Sequence, residues 1–251
     1  MKFFTEPNGL FVIKLPIEWQ YANVLTGDDE KSPFSFIPYE NPDKVGAFQI
    51  SCYSVKNKTK ALEIQKEDTK NLNFDESRMD GDGFNMHLWY CQVEHNVFMA
   101  KYIYDTNKQE SELIKNEIIK VKAALSELVL VSKSKRNLAI SLDKYEKFQS
   151  SLAASFDLKN QAVKNKSFIE FIIIVASQID AYLRLTIVMN EQLSNGTNEF
   201  DLKYFYQGDN DKAIMERKIY STAKELNIIS NSTFDELELL YKKRTAMQLI
   251  Q

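Results

Sequence analysis

The sequence predicts an α+β protein in which an N-terminal antiparallel sheet with flanking helices is followed by an all-α helical bundle. All five prolines lie between Pro7 and Pro42, whereas residues 133–251 contain none and have only two glycines, Gly196 and Gly208. Proline and glycine interrupt helices. The first half of the chain therefore has the composition of strands and turns, and the second half that of long helices.

Apolar segments of the first half predict strands. Residues 11–15 and 49–55 are rich in β-branched and aromatic side chains, and the second of these alternates apolar with polar positions. Residues 85–93 and 97–104 have the same character and are separated by the short polar segment 94–96. This spacing predicts a β-hairpin.

Two segments of the first half predict helices, residues 60–70 and 108–130. In the second segment, apolar residues recur at three- and four-residue steps and form one stripe. The stripe comprises Leu113, Ile114, Ile118, Val121, Ala124, Leu125 and Leu128. We expect these helices to cover one face of the sheet.

The second half predicts four helices with short connections, which make a bundle. They cover residues 138–164, 168–193, 211–226 and a last segment that begins at Ser232. Ser167 is placed to cap the second helix, and Gly196 to end it in a left-handed conformation. Asn227 closes the third helix, and Ser232 with Asp235 approximates a capping box at the start of the fourth.

The chain is predicted to form two domains, residues 1–132 and 137–251, separated at the Ser-Lys-Ser-Lys-Arg run of residues 132–136. The overall charge of −3 divides into −5 for residues 1–132 and +2 for residues 133–251. Neither value indicates an extended surface for a polyanion, although Lys242, Lys243 and Arg244 form a local basic patch.

Composition favours a soluble cytoplasmic protein. The N-terminus has no long apolar segment of the kind that begins a secretory signal. The most apolar window, residues 168–189, contains four polar residues that argue against a membrane-spanning helix: Glu170, Gln178, Asp180 and Arg184. The two cysteines, Cys52 and Cys91, imply no disulfide framework and suit a reducing compartment.

No metal site and no cofactor are predicted. His87 and His95 are the only histidines, and no further ligands stand near them at a recognisable spacing. The Asp80-Gly-Asp82-Gly run lacks the glutamate that a calcium loop of the EF-hand type requires. We interpret both features as structural.

The first half resembles the PsbP-like α/β/α sandwich. The similarity lies in Leu15-Pro-Ile-Glu-Trp19, in Gly46-Ala-Phe-Gln-Ile-Ser51, and in the hairpin that contains Trp89 and Tyr102. It extends over about residues 1–130. Members of that family are chiefly adaptor or binding domains, so the resemblance implies binding and no reaction. Trp19 and Trp89 are predicted to pack in the core, with a partner-binding aromatic surface as the alternative.

The second half resembles a HEPN domain, a helical bundle of bacterial defence and toxin proteins. The similarity lies in Gln178-Ile-Asp180-Ala-Tyr-Leu-Arg184 and in the last helix. Many members are metal-independent ribonucleases whose signature is an arginine, usually followed by a polar residue, and a histidine separated from the arginine by four to six intervening positions. Arg244 and Thr245 match the first two places, whereas residues 249–251 are Leu, Ile and Gln. The resemblance thus lacks the histidine that would transfer the proton.

These observations predict a non-catalytic binding or assembly protein in a bacterial defence or toxin–antitoxin setting. Alternatives are a HEPN-type ribonuclease whose histidine is missing from this chain, and a chance likeness between helical bundles. The candidate catalytic remnant is Arg244 with Thr245. The candidates for RNA or partner binding are Lys242, Lys243, Arg244, Asp180 and Arg184. We expect a homodimer or a complex with a cognate protein, with interface candidates Met247, Leu249 and Ile250.

Overall fold

The computed structural model describes residues 1–28, 30–40, 45–54, 67–108, 111–205 and 214–248. The chain divides into two compact units, Met1–Ile140 and Ser141–Gln251. Among the described residues, all strands belong to the first unit, and most of the helical residues belong to the second. The predicted α+β class, with an N-terminal sheet region followed by helices, is confirmed. Independent folding of the two predicted domains stays a prediction.

Two antiparallel sheets form the first unit. Their strands are β1 (Lys2–Thr5), β2 (Phe11–Leu15), β3 (Trp19–Tyr21), β4 (Phe34–Pro38), β5 (Ala47–Ser54), β6 (Asp75–Asp80), β7 (Phe84–Val93), β8 (Asn96–Asp105) and β9 (Val129–Leu130). The small sheet has the order β1-β2-β9, and the large one has the order β3-β4-β5-β8-β7-β6. The predicted strands at 11–15 and 49–55 correspond to β2 and β5.

The predicted hairpin is present as β7 and β8. Val93 pairs with Asn96, so the turn contains only Glu94 and His95. Glu94 has a φ of 52°, a left-handed conformation that suits the tight connection. Asn96, which the sequence placed in the turn, begins β8 instead.

Among the described residues, one α-helix, α1 (Glu112–Ser126), lies entirely within the first unit. It is shorter than the predicted segment 108–130. Ser111 caps it by accepting a hydrogen bond from the backbone of Leu113, and after Ser126 the chain enters β9, which pairs with β2. The predicted stripe is largely buried, although Leu113 itself is exposed.

Residues 60–66 of the helix predicted at 60–70 lie outside the described part of the chain. Thr69, within the predicted segment, forms an isolated β-bridge with Leu130. The helix prediction is therefore wrong at that position, because backbone pairing with the residue that ends β9 takes its place.

Aromatic side chains dominate the core of the first unit. Phe11 of the small sheet contacts Phe34 and Phe98 of the large sheet, with ring centroids 6.1 and 5.6 Å apart. Such pairs contribute about 0.5–1.5 kcal/mol each beyond the burial of their area. Trp19 and Trp89 are also buried, as predicted, so both tryptophans are core residues and neither forms an exposed surface.

The second unit is helical. Its helices are α2 (Arg136–Lys164), which begins in the first unit, α3 (Phe168–Asn195), α4 (Glu216–Glu225) and α5 (Asn231–Gln248). Leu183 and Ile187 of α3 pack with Ile219 of α4 and Leu237 of α5 in one buried cluster. Contacts between α2 and the rest of the unit include aromatic ones: the rings of Tyr145 and Phe148 lie 5.3 and 5.0 Å from that of Phe205.

The helix ends agree with the sequence in part. Gly196 ends α3 with a φ of 59°, as predicted. Ser167 occupies the position before α3, but its side chain makes no capping hydrogen bond. The predicted box of Ser232 and Asp235 is displaced by two residues, because Ser230 accepts the backbone hydrogen bond of Thr233 and α5 begins earlier.

Helix α3 is 28 residues long and contains an 18-residue window with a mean hydropathy of 1.7, enough by length and composition to cross a membrane. A single helix of this kind also occurs in soluble proteins. Two of the polar residues noted in the sequence make contacts within the unit: Gln178 donates to Ser155 of α2, and Arg184 donates to backbone carbonyls outside α3. These contacts engage the polar residues of α3 within the helical unit.

Candidate functional site

An ion pair between Arg244 of α5 and Glu216 of α4 connects two helices of the second unit. The two terminal nitrogens of Arg244 donate to the two carboxylate oxygens of Glu216, with Nη1 at 3.1 Å from Oε1. Both side chains are largely buried, with 21% and 17% of their surface exposed. The hydrogen bonds to Glu216 hold the pKa of Arg244 above its ordinary value. Arg244 therefore bridges two helices.

A second ion pair lies on the same side of α5. Arg217, which follows Glu216 on α4, donates to both oxygens of Glu238 at 2.6–3.1 Å. Tyr241 lies midway between Glu238 and Arg244 along α5, and its ring centroid is 5.8 Å from the Arg217 guanidinium and 5.4 Å from that of Arg244. We call Glu216, Arg217, Glu238 and Arg244 the α4–α5 charge ladder. It connects α4 and α5 at two points.

Tyr220 completes the surroundings of Glu216. Its hydroxyl donates to Oε1 of Glu216, and the residue is 3% exposed. Burial raises the pKa of Tyr220, and the hydrogen bond to Glu216 raises it further. The phenol therefore stays protonated and acts as a hydrogen-bond donor, so both oxygens of Glu216 are engaged.

Asp180 and Arg184 of α3 form the other polar pair of the predicted site. Arg184 Nε lies 2.6 Å from Asp180 Oδ2. The two terminal nitrogens of Arg184 donate to the backbone oxygens of Tyr204, at 3.4 Å, and of Ile214, at 3.0 Å. Arg184 thereby connects α3 to the chain on both sides of residues 206–213. All three nitrogens of its guanidinium therefore donate hydrogen bonds within the unit.

The two carboxylate oxygens of Asp180 have different environments. Oδ2 is paired with Arg184, whereas Oδ1 is buried and has no hydrogen-bond partner among the described residues. Burial raises the pKa of the Asp180 carboxyl above its ordinary value, the Arg184 pair opposes this change, and Glu216 adds to it.

Two cavities adjoin the Glu216–Arg244 pair. A polar one of about 250 Å³ is lined by Ile173, Ala176, Ser177, Asp180, Glu216 and Arg244. An apolar one of about 300 Å³ lies between α3, α4 and α5 and shares Ala176, Glu216 and Arg244 with the first. The ion pair thus forms a common wall of both cavities.

The structure brings only some of the predicted site residues together. Asp180 and Arg244 line the same polar cavity, whereas Lys242 and Lys243 are exposed on α5. The Thr245 hydroxyl donates to the backbone oxygen of Tyr241 at 3.0 Å, and so makes a local helix contact. Leu249, Ile250 and the side chain of Met247 lie outside the described part of the chain.

Sequence reasoning missed Glu216, Tyr220 and Tyr241. Glu216 and Tyr220 are four residues apart, which places them on one face of a helix, and the same side of α5 contains Tyr241 and Arg244. These spacings were visible in the sequence. The crossing of α4 over α5 was not, because Glu216 and Arg244 are 28 residues apart.

Among the described residues, no group of three or more His, Cys, Asp or Glu side chains is arranged to hold a metal ion. His87 contacts Glu76, with Nδ1 at 3.1 Å from Oε1, and Glu76 also pairs with Lys122 of α1 at 2.7 Å. His87 stacks on Trp89, with centroids 5.8 Å apart. His87 on β7 therefore contacts the edge strand β6 through Glu76, and Glu76 connects β6 to α1 through Lys122.

A patch of apolar side chains is exposed at the start of α3. Phe168, Ile169, Ile172 and Ile173 are 76%, 55%, 40% and 45% exposed. Phe168 and Ile172 are four residues apart, as are Ile169 and Ile173, so the four side chains lie on adjoining faces of the first two turns. We call these four residues the α3 patch.

Comparison with known proteins identifies no family. No family model matches the chain, and no curated protein matches it. A crystal structure of a protein from Bacteroides thetaiotaomicron VPI-5482 is similar over 72% of this chain and 77% of that chain, at 14% identity and a TM-score of 0.34. Likeness at this level carries no argument about family or function.

Proposed function

We propose that this protein is a non-catalytic binding or assembly protein that self-associates through its helical unit. The observation that carries the proposal is the state of Arg244. In a nuclease of the HEPN type, this arginine would hold the scissile phosphate and a histidine would move the proton. Here the guanidinium is bidentate to Glu216, and residues 141–251 contain no histidine.

The electrostatics of the pair support the same proposal. An arginine that binds phosphate must have its fork of N–H groups directed at the ligand. Release of Arg244 would leave the Glu216 carboxylate in a largely buried position with only Tyr220 as a donor. Leaving a buried charge uncompensated costs about 3–5 kcal/mol, so Arg244 is a poor candidate for a residue that exchanges partners during turnover.

The α3 patch supplies the surface for self-association. The Phe168 side chain alone exposes on the order of 150 Å², so the four side chains together approach the few hundred Å² that mark an interaction site. Exposed Lys166 and Glu170 flank the patch. A two-fold axis near Phe168 would bring Lys166 of one copy towards Glu170 of the other, which makes the patch complementary to itself.

The setting we propose is the bacterial cytoplasm, in a defence or toxin–antitoxin system. It rests on the resemblance of the second half to HEPN domains and of the first half to PsbP-like binding domains. A cognate protein that occupies the α3 patch instead of a second copy is the other form of the same proposal.

Light scattering of the purified chain at micromolar concentration tests self-association. We expect a dimer mass that falls to the monomer mass in Ile169→Glu. Ile119→Glu is the matched control, because Ile119 is 63% exposed but lies on α1 of the first unit. A monomer mass for the unmodified chain, or a dimer unchanged by Ile169→Glu, would exclude this interface.

The alternative function is a metal-independent HEPN-type ribonuclease whose catalytic histidine is missing from this chain. General acid–base assistance contributes typically about 10²–10⁴-fold to such a reaction, and Lys242 and Lys243 are the nearest exposed titratable groups. Incubation of the chain with total RNA in EDTA tests for this ribonuclease activity. We expect no cleavage, and cleavage that disappears in Arg244→Ala would establish the ribonuclease instead.

A further inference from the structure

The apolar cavity of the helical unit has the form of a small-molecule site. Its floor is made by Tyr220 and Leu237, which are 3% and 7% exposed, and its mouth by Ile172 and Leu240, which are 40% and 56% exposed. Phe171, Val175, Ala176 and Ile179 form most of the remaining apolar wall. Its volume of about 300 Å³ is at the lower end of the range of ligand pockets.

The charges at this cavity favour an anion. Glu216 is the only acidic residue among the described residues that line the cavity, and both of its oxygens already accept hydrogen bonds, from Arg244 and Tyr220. Arg244 donates two N–H groups to Glu216, and a guanidinium has five. Lys243 also lines the cavity and is exposed, with no ion-pair partner among the described residues. The unsatisfied charge at the site is therefore positive.

We propose that this cavity binds a small amphipathic carboxylate, such as a medium-chain fatty acid. Its hydrocarbon chain lies against Phe171, Val175 and Ile179, and its carboxylate lies at the mouth. There it pairs with Lys243 and accepts from an N–H group of Arg244 that Glu216 leaves unused. The Glu216–Arg244 pair stays intact, so binding requires no rearrangement of the helices. The cavity shares Ile172 with the α3 patch, but the residues proposed to contact the ligand, Phe171, Val175, Ile179, Lys243 and Arg244, lie outside that patch. The proposal does not rest on self-association.

The chemistry predicts an order of affinities for ligands that share one hydrocarbon chain. Octanoate, with ten non-hydrogen atoms, is of the scale of the cavity, and we expect a dissociation constant on the order of 0.1–1 mM. Octanol buries the same chain but gives Lys243 no charge partner, so its affinity is roughly three- to tenfold lower. Octylammonium places a second cation beside Lys243 and Arg244 and binds more weakly still.

Calorimetric titration of the full chain with octanoate, octanol and octylammonium tests the proposal. Lys243→Gln is expected to weaken octanoate roughly three- to tenfold and to leave octanol unchanged. Lys242→Gln is the matched control, because Lys242 is the neighbouring exposed lysine and does not line the cavity. We expect it to change neither affinity.

A cavity-filling variant tests the location independently. Val175→Trp occupies the space of the hydrocarbon chain and is expected to abolish binding of octanoate and octanol, with circular dichroism confirming that the helices remain. Lys243→Gln changes an exposed side chain, so its result stands if Val175→Trp fails to fold. The proposal is overturned if octanoate does not bind at millimolar concentration, if octylammonium binds as well as octanoate, or if Lys243→Gln and Lys242→Gln have equal effects.

Discussion

The indole nitrogen of Trp19 donates a hydrogen bond of 2.7 Å to Oε2 of Glu117, a residue 98 positions later in the chain. Trp19 begins β3 and Glu117 lies on α1, and both are buried. Oε1 of Glu117 is paired with Lys120 at 2.7 Å, and the same lysine reaches Glu18 at 2.8 Å. The contact anchors the helix of the first unit to the start of its large sheet.

Glu117→Leu is expected to destabilise the first unit by about 2–4 kcal/mol, because it leaves a buried indole N–H without an acceptor and removes the ion pair with Lys120. Glu117→Gln keeps an oxygen for Trp19 and should cost clearly less. Urea denaturation followed by tryptophan fluorescence measures both. Equal losses in the two variants would show that the Trp19 hydrogen bond contributes nothing.

Gly9→Ala is expected to be more destabilising than Gly27→Ala, although both glycines have a positive φ, of 69° and 73°. A Cβ at Gly9 would lie 2.5 Å from the backbone oxygen of Arg136, whereas nothing lies within 4 Å of a Cβ at Gly27. The backbone strain alone costs about 1 kcal/mol, and the collision adds about 1–3 kcal/mol. Equal midpoints in urea would argue against the close approach of the β1–β2 turn to Arg136.

The two halves are expected to separate under limited trypsin digestion, with the first cut at Lys133. Lys133 is exposed, whereas Lys135 is paired with Asp68 at 2.8 Å and Arg136 begins α2. Two stable fragments of about half the mass each are the expected products. Resistance of this segment while other sites are cut would indicate that the halves fold as one domain.

The sequence predicted elements whose apolar residues repeat regularly. Strand β2, the β7–β8 hairpin and helix α3 have strong local patterns, and each was placed within a few residues. Strand β6 was missed, because all six residues of Asp75–Asp80 are exposed and the strand is paired on one side only, with β7. An edge strand of this kind has no buried face and therefore no alternating pattern.

The candidate site was predicted less well, for a physical reason. Asp180 and Arg184 are one helical turn apart, so their pairing is a local property that the sequence reveals. The partner of Arg244 depends on how α4 crosses α5, which is decided by burial of Ile219 and Leu237 in the core of the unit. The sequence motif therefore identified Arg244 but not Glu216, the carboxylate to which Arg244 is paired.

Both cysteines are expected to react slowly with a disulfide reagent at pH 8 in the folded protein. Burial raises the pKa of the Cys52 thiol from 9.0 to about 12, and burial also raises that of Cys91. The thiolate fraction of Cys52 then falls about 1,000-fold. Because Cys52 and Cys91 pair with Phe98 from opposite sides, their Cα atoms are roughly 10 Å apart, too far for a disulfide. Rapid reaction of both thiols only in urea is the expected result, and a fast thiol in the native protein would contradict it.

Removal of Arg244 is expected to be more damaging than removal of Arg217, although each is bidentate to a glutamate of the α4–α5 charge ladder. Arg244→Ala leaves the largely buried Glu216 without its counter-charge, at a cost of about 3 kcal/mol. Arg217 is 54% exposed although its partner Glu238 is only 13% exposed, so water screens this pair from the arginine side and Arg217→Ala is expected to cost less than Arg244→Ala. The double variant Glu216→Leu with Arg244→Leu should recover much of the stability lost in Arg244→Ala, since it removes both charges together. Thermal unfolding followed by circular dichroism compares the three. If Arg244→Ala were as stable as the unmodified chain, Arg244 would be free to serve a ligand, and the argument against a phosphate-binding role would fail.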